Sequence, residues 1–357
     1  MPYATSLVAC RFASKDRRLP AGRRLLVALV FVLAGHQHLG QPFAGAADSL
    51  PAPPEPAAVA APEARFAVSA TLAASLADPD RQVRLEAARA LERIGPGCTA
   101  AIVPCLQHAD PSVRVGAIIV LARFGADAKQ AVPALTHCLG DPVAAVRFAA
   151  ARALRAMGRE AQTAAPALSR LLADPDRIVR MNSAAALEAI GQPAASPVAE
   201  ILLSSPDAAA RMAAADVLRR IGVEAASAVP ALTAALSDHA PEVRNAAAQA
   251  LRAIDRASLP AAAALASALN DPDRTVRLSA AAALERIGPA GLPHVTAQLT
   301  SDDWQTRVIA LRVLELYGPE ARSAAPALSA RLLDPEPAVR EAAARSLRAV
   351  LGKDAAP

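Results

Sequence analysis

The chain has very few aromatic residues. One Trp, two Tyr and six Phe make up 3% of 357 residues, although 54% are hydrophobic. That much apolar content without rings implies thin layers packed from small side chains rather than a thick aromatic core. Cysteine is also scarce, at four residues. Three of these, Cys98, Cys105 and Cys138, lie beyond the N-terminal segment, and an odd number without repeat-wise regularity is not a disulfide framework. No Cys-x-x-Cys or His-x-x-x-His pair occurs, so a zinc site would have to gather Cys98, Cys105, His108, His137 and Cys138 from neighbouring segments. No metal is expected. There is no Gly-x-Ser-x-Gly elbow, and the glycines are too dispersed to cradle a phosphate, so no catalytic or cofactor-binding residue is assigned.

Cationic excess is missing too, once it is located. The net charge of +5 arises in residues 1–46, where Arg11, Lys15, Arg17, Arg18, Arg23 and Arg24 face one acid, Asp16. Removing these from the totals of 38 basic and 33 acidic residues leaves 32 of each sign. Nucleic-acid binding relies on a surplus of cations, so no nucleic-acid partner is expected. The longest apolar run in this segment, Leu25–Ala34, is too short for a bilayer span, which takes about 20 residues. Basic residues, then this run, then Ala44-Gly45-Ala46 form the pattern of a secretory signal cut after Ala46. The expectation is an exported protein, periplasmic or at the cell surface, without a transmembrane span once mature; an uncleaved N-terminal anchor is the alternative. Residues 47–65 read as a Pro/Ala-rich linker, 66–352 as the folded region and 353–357 as a tail.

What the chain does have is a ruler. Arg84, Arg114, Arg147, Arg180, Arg211, Arg244, Arg277, Arg307 and Arg340 follow one another at steps of 30, 33, 33, 31, 33, 33, 30 and 33 residues. A leucine lies seven residues after each, from Leu91 to Leu347, and an alanine or serine three after each. A period in this range marks a solenoid of stacked supersecondary units. In the fourth unit, Leu168, Leu171 and Leu172 form a first helical stripe, which Asp174-Pro175 ends. Asp176 is placed to cap a second helix whose stripe is Val179, Ser183, Leu187 and Ile190, and Gly191 closes it in a left-handed conformation. Each unit is therefore a helical hairpin. Cys105 and Cys138 share one slot, filled by Leu171 and Leu202 in the next two units, and read as small buried hydrophobes.

The wording of the units resembles a known family. Proline recurs fourteen residues before the marker arginine, at Pro133, Pro166, Pro197, Pro230, Pro293 and Pro326. Aspartate recurs six before it, at Asp78, Asp141, Asp174, Asp238, Asp271 and Asp334. Together with the Val-Arg pair this is similar to the HEAT repeat, and more narrowly to its short bacterial, phycobilisome-lyase-like form; the DPDxxVRxxAAxALxxIG wording of units one, four and seven is especially close. The resemblance implies an all-α, right-handed solenoid of about nine hairpins. It also implies a ladder in which the aspartates pair with Arg84, Arg147, Arg180, Arg244, Arg277 and Arg340 and their equivalents between neighbouring repeats. The rung should weaken where His108, Ser205 or Ser301 replaces the aspartate. The di-iron hydroxylases of this class carry repeated His-Glu pairs, and this chain has none.

Function is then expected from the surface: a non-catalytic scaffold binding a protein or peptide on its second helices. The alternative is an accessory or chaperone-like subunit for a cofactor- or bilin-bearing enzyme, as in lyase-like members. Slots two, five and nine residues after each arginine were expected to face outward, with alanines such as Ala149, Ala156, Ala185 and Ala246 making the middle repeats bland. Two repeats depart from this. Repeat 8 places Ile309, Arg312 and Leu316 there beside the single Trp304, and repeat 2 places Ile119 and Arg123. An aromatic and arginines beside apolar residues have interface composition.

Overall fold

A computed structural model describes residues 62–352. The signal segment, nearly all of the linker and the tail lie outside the described residues. Helix begins at Pro62, so the last residues assigned to the linker already belong to the first helix, Pro62–Ala74. The chain divides into two compact units, one ending at Cys138 and the other starting at Leu139. Each unit is an all-α solenoid segment, with no strand among the described residues. The first holds two helical hairpins and the first helix of a third. The other holds that repeat's second helix and six further hairpins. The second helices are Arg81–Ile94, Pro111–Phe124, Ala144–Met157, Arg177–Ile190, Ala208–Ile221, Pro241–Ile254, Arg274–Ile287, Trp304–Tyr317 and Pro337–Leu351.

Local chemistry explains these boundaries. Asp176 accepts from the backbone N–H groups of Ile178 and Val179 at 2.7 and 3.2 Å, capping the second helix of repeat 4. Val179, Ser183, Leu187 and Ile190 are all buried along it, as their spacing requires. The small-residue slot is sealed throughout: Ala87, Ala117, Ala150, Ala214, Ala247, Ala280 and Ala343 have no exposed surface. Six of the nine first helices end in a 3-10 turn, as Ala165–Arg170 does in Leu171–Ala173; those of repeats 3, 5 and 6 do not.

The helix-ending glycines differ from expectation in one respect. Gly191 has φ 75° and ψ −139°, so it lies in the mirror-extended region rather than the left-handed helical one. That region is all but closed to side chains. Repeat 6 nevertheless places Asp255 there, at φ 64° and ψ −140°.

The marker arginine performs two tasks. In all nine repeats its Nη1 donates to the two carbonyls that precede the second helix, as Arg180 does to Asp174 and Pro175 at 2.7 and 3.1 Å. In repeats 3, 5, 6 and 8 the rest of the guanidinium also reaches the aspartate of the next repeat. Arg147 pairs with Asp174 through two hydrogen bonds of 2.8 and 3.0 Å, and Arg211 with Asp238 and Arg244 with Asp271 through two of 2.7 and 2.8 Å. Arg307 holds Asp334 through Nη2 alone, at 2.8 Å. Hydrogen bonds from Arg211 keep the Asp238 carboxyl below its ordinary range against the opposing effect of burial. At Asp174 and Asp334 burial is the larger single influence, but the arginine hydrogen bonds, a backbone N–H and nearby charge together outweigh it.

The rung disappears where serine or histidine replaces the aspartate. Arg84 and Arg180 meet only the carbonyls of their own turn, and Arg277 adds one neutral bond, to Gln305 at 3.1 Å. The turn itself survives. Ser205 and Ser301 Oγ and His108 Nδ1 still accept the N–H two residues on, as the aspartates do.

These lapses are periodic. After the second helices of repeats 1, 4 and 7 the connecting 3-10 turn has three residues; after those of repeats 2, 3, 5, 6 and 8 it has seven. Each short turn leads into the repeat that lacks the aspartate. Side-chain caps are present in repeats 1, 2, 4, 5, 7 and 8 and absent in 3, 6 and 9, where Val143, Ala240 and Glu336 precede the helix. Marker arginines three repeats apart are 96 or 97 residues apart. The true unit is a block of three hairpins. Within the second compact unit, second helices pack closely between repeats 3 and 4, 5 and 6, 6 and 7, and 8 and 9, and loosely at 4/5 and 7/8; within the first, 1/2 is likewise loose.

Two outcomes follow. Asp238→Ala strands a largely buried Arg211 and should cost about 3 kcal/mol in denaturant unfolding, whereas Ser301→Ala should cost under about 1 kcal/mol. Because the folded carboxyl of Asp238 titrates below its unfolded value, the rung's contribution is present above about pH 3.9 and is lost as pH falls through the depressed folded value. Asp255→Gly should stabilise the chain by about 1 kcal/mol or more in the same assay, since relief of the backbone strain exceeds the loss of an exposed pair with Arg286.

Candidate interaction surface

The outer face of the second helices is only partly where the sequence pattern puts it: slots five and nine are exposed, as at Ile119 and Leu316, but slot two is not. At roughly 100° per residue, the direction opposite the stripe of Val83, Ala87 and Leu91 falls on slots one, five and eight after the arginine. Slot two lies on the flank covered by the neighbouring repeat. Ala149 is buried there, and Ser279 Oγ donates to Asn245 Oδ1 of the preceding repeat at 2.7 Å. Slot one was overlooked, and it carries Leu85, Met181, Met212 and Leu278, all exposed. Its signal was an apolar residue recurring directly after the marker, off the buried stripe.

Trp304 is the first residue of its helix and 42% exposed, while Leu316 is near the other end and 55% exposed. Twelve residues of helix separate them by roughly 18 Å, so they do not form one patch. Arg312 and Leu316 share an exposed face, with Ile309 half-buried beside them. In the first unit Ile119 is exposed, and Arg123 lies 3.8 Å from Glu92.

Large exposed apolar side chains on second helices are Leu85, Ile119, Ile178, Met181, Met212, Leu278, Trp304 and Leu316. They belong to repeats 1 and 2, 4 and 5, and 7 and 8, so they flank the three loosened junctions and are absent from repeats 3, 6 and 9. Two of these junctions carry an exposed ionic strap: Arg123 to Glu92, and Arg220 to Glu188 at 3.5 Å. At the third, Leu316 occupies the arginine's slot opposite Glu285 and no strap forms. Tyr317 instead donates to the Leu284 carbonyl at 2.8 Å. Burial and the nearby Glu285 hold its phenol well above the ordinary range, so it stays neutral and serves as a tether.

An open groove of about 610 Å³ crosses the second helices of repeats 5 to 7. Arg219, Gln249, Arg252 and Arg286 form its polar walls, Ala253, Ser279 and Ala282 its floor, and Leu278 its apolar edge. The alanines that made these repeats look bland are what give the groove its depth. A second cavity of about 550 Å³, near the ends of the second helices of repeats 6 to 8, shares Arg286 and includes Leu316 and Tyr317.

The described residues offer little catalytic chemistry. Burial pushes the Cys98 and Cys105 thiols up, away from the reactive thiolate. Cys98 Sγ–H donates to the Gly95 carbonyl at 3.0 Å, and Cys138 is buried with its sulfur 3.8 Å from the Leu106 carbonyl. Among the described residues no group of three or more His, Cys, Asp or Glu is arranged to hold a metal ion, and no helix is long and apolar enough to cross a membrane.

Comparison with known proteins bears on the fold. A family model described as HEAT repeats matches residues 68–155, 99–188, 141–219, 195–285 and 292–357. No curated protein sequence matches the chain significantly. Similar solved structures include importin beta, at 16% identity and TM-score 0.47 over 81% of this chain. Human deoxyhypusine hydroxylase matches at 24% identity and TM-score 0.30, over 71% of this chain and 97% of its own. Kap95p, from a complex with RanGDP, matches at 15% identity and TM-score 0.44 over 81% of this chain and 49% of its own. The chain spans about half the length of the importin beta structure, 48%.

Leu316→Arg should recreate the strap to Glu285 and cover the open junction. The expected result is lower fluorescence of an apolar dye with the melting temperature shifted by no more than a few degrees; unchanged dye binding would show that the junction is not the exposed apolar surface.

Proposed function

Because the chain belongs to the HEAT-repeat family, we propose that it is an exported, non-catalytic scaffold that binds a protein partner through the outer face of its second helices. The supporting observation is the placement of the exposed apolar residues. Single exposed apolar side chains are ordinary on any protein surface. On the second helices, however, the large exposed ones fall only beside the three junctions where those helices loosen, at a spacing of one three-hairpin block, and so are not scattered. Solenoids present such surfaces to extended partners. Export is supported by the basic, apolar and Ala-Gly-Ala succession within residues 1–46. The narrower lyase-like assignment rests on the DPDxxVR wording at Asp78–Arg84, Asp174–Arg180 and Asp271–Arg277. It carries the second reading, an accessory subunit for a cofactor- or bilin-bearing enzyme.

Affinity capture from an envelope fraction tests the scaffold reading when wild type is compared with the combined Met181→Ser, Met212→Ser and Leu278→Ser variant. All three side chains are exposed, so melting should change little while captured partners fall at least about tenfold. Identical capture by both proteins would sink the proposed face. Visible absorbance in the protein purified from its native source would favour the accessory-subunit reading.

A further inference from the structure

We infer that the groove across repeats 5 to 7 receives an extended acidic segment of the partner protein, its carboxylates meeting Arg219, Arg252 and Arg286 and a large apolar side chain resting on Leu278. This rests on the scaffold reading above and specifies the partner's chemistry.

Three observations carry it. The first is charge. Three arginines and no carboxylate line the groove. Asp216 holds Arg219 at 2.7 Å, and Asp255 pairs with Arg286, but both are solvent-exposed pairs whose carboxylates an incoming acid can supplement or displace. Arg252 forms no ion pair among the described residues, so the groove keeps an uncompensated charge. The second is spacing. Arg219 and Arg252 occupy the same slot on adjacent helices, roughly 8–10 Å apart. An extended chain in the polyproline II form rises about 3.1 Å per residue and returns to the same face every three residues, so one acid in about every three residues meets successive arginines. The third is shape. Ala253 and Ala282 make a floor that is open along its length, which admits an extended segment, and Leu278, 51% exposed, gives it an apolar anchor.

The test uses a fluorescein-labelled peptide of about twelve residues, with glutamate at about every third position and leucine between, titrated into the purified chain by fluorescence anisotropy. Binding should weaken at least about tenfold between about 50 and about 500 mM salt. It should fall about tenfold or more with Arg219→Glu combined with Arg252→Glu, and about threefold or more with Leu278→Ser. These side chains lie on the surface, so circular dichroism and melting should match wild type. No binding, equal binding of a lysine-for-glutamate peptide, or full affinity in the charge-reversed protein would overturn the inference. Tighter binding of a single-stranded oligonucleotide than of the peptide would reassign the groove to nucleic acid. If the peptide fails while the Met181, Met212 and Leu278 variant still loses its captured partners, only the acidic-segment inference falls; if both fail, the scaffold reading falls with it.

Discussion

Every repeat depends on one guanidinium that must satisfy two sets of acceptors. Nη1 is committed to the carbonyls of its own turn in all nine repeats, as at Arg147 with Asp141 and Pro142. The rest of the group points toward the next repeat and needs a partner there. The aspartate that answers is committed as well, since its Oδ1 also accepts a backbone N–H two residues on, as Asp271 does from Asp273. Turn and ladder are thus built from the same two side chains. They remain separable, because the turn needs only an acceptor, whereas the rung needs a carboxylate of suitable reach. Serine and histidine satisfy the first requirement and not the second.

This separability shapes the face that meets solvent. Within the second compact unit, where the connecting turn has seven residues, the next aspartate comes into range, the rung forms and second helices pack closely. Where it has three, the aspartate is absent and the second helices loosen. Large exposed apolar side chains of the second helices lie beside these places, as Met181 and Leu278 show. The loosening is then bridged by secondary devices: the Arg220–Glu188 strap at 4/5 and the Tyr317–Leu284 hydrogen bond at 7/8. Buried ion pairs and exposed apolar surface are alternatives set by a difference of a few residues in loop length.

The nine-hairpin count was legible because arginine, leucine and glycine keep fixed offsets, and those offsets serve burial directly. The block of three was not, although its marks were present. The shorter steps looked like drift, and the closely matching wording of repeats 1, 4 and 7 looked like good copies rather than a phase. Slot eight carried the plainest mark: Glu92, Glu188 and Glu285 in repeats 1, 4 and 7, against Arg155, Arg252 and Arg348 in repeats 3, 6 and 9. Slots five and nine do face outward, as Ile119 and Leu316 show; slot two does not, because it lies about 100° around the helix from slot one, so Ser279 meets the preceding repeat while Leu278 meets solvent. Trp304 drew notice through rarity, which is a property of composition and does not locate a patch.

Formal charge misled in a related way. The balance of 32 basic and 32 acidic residues beyond residue 46 treats all carboxylates as equally available. They are not. The turn aspartates are held by backbone N–H groups and rung arginines, and the cap aspartates by the first turns of second helices. On slots one, five, eight and nine of the second helices from repeat 3 to repeat 9, nine arginines meet five carboxylates. A region of balanced charge thereby presents a positive face, because its turns and caps hold many of its acids while arginines other than the nine markers stay on the outer slots. The same accounting explains why the groove falls at repeats 5 to 7, where Arg219 and Arg252 follow one another on adjacent helices over alanine, while Glu188 and Glu285 bracket the stretch on either side.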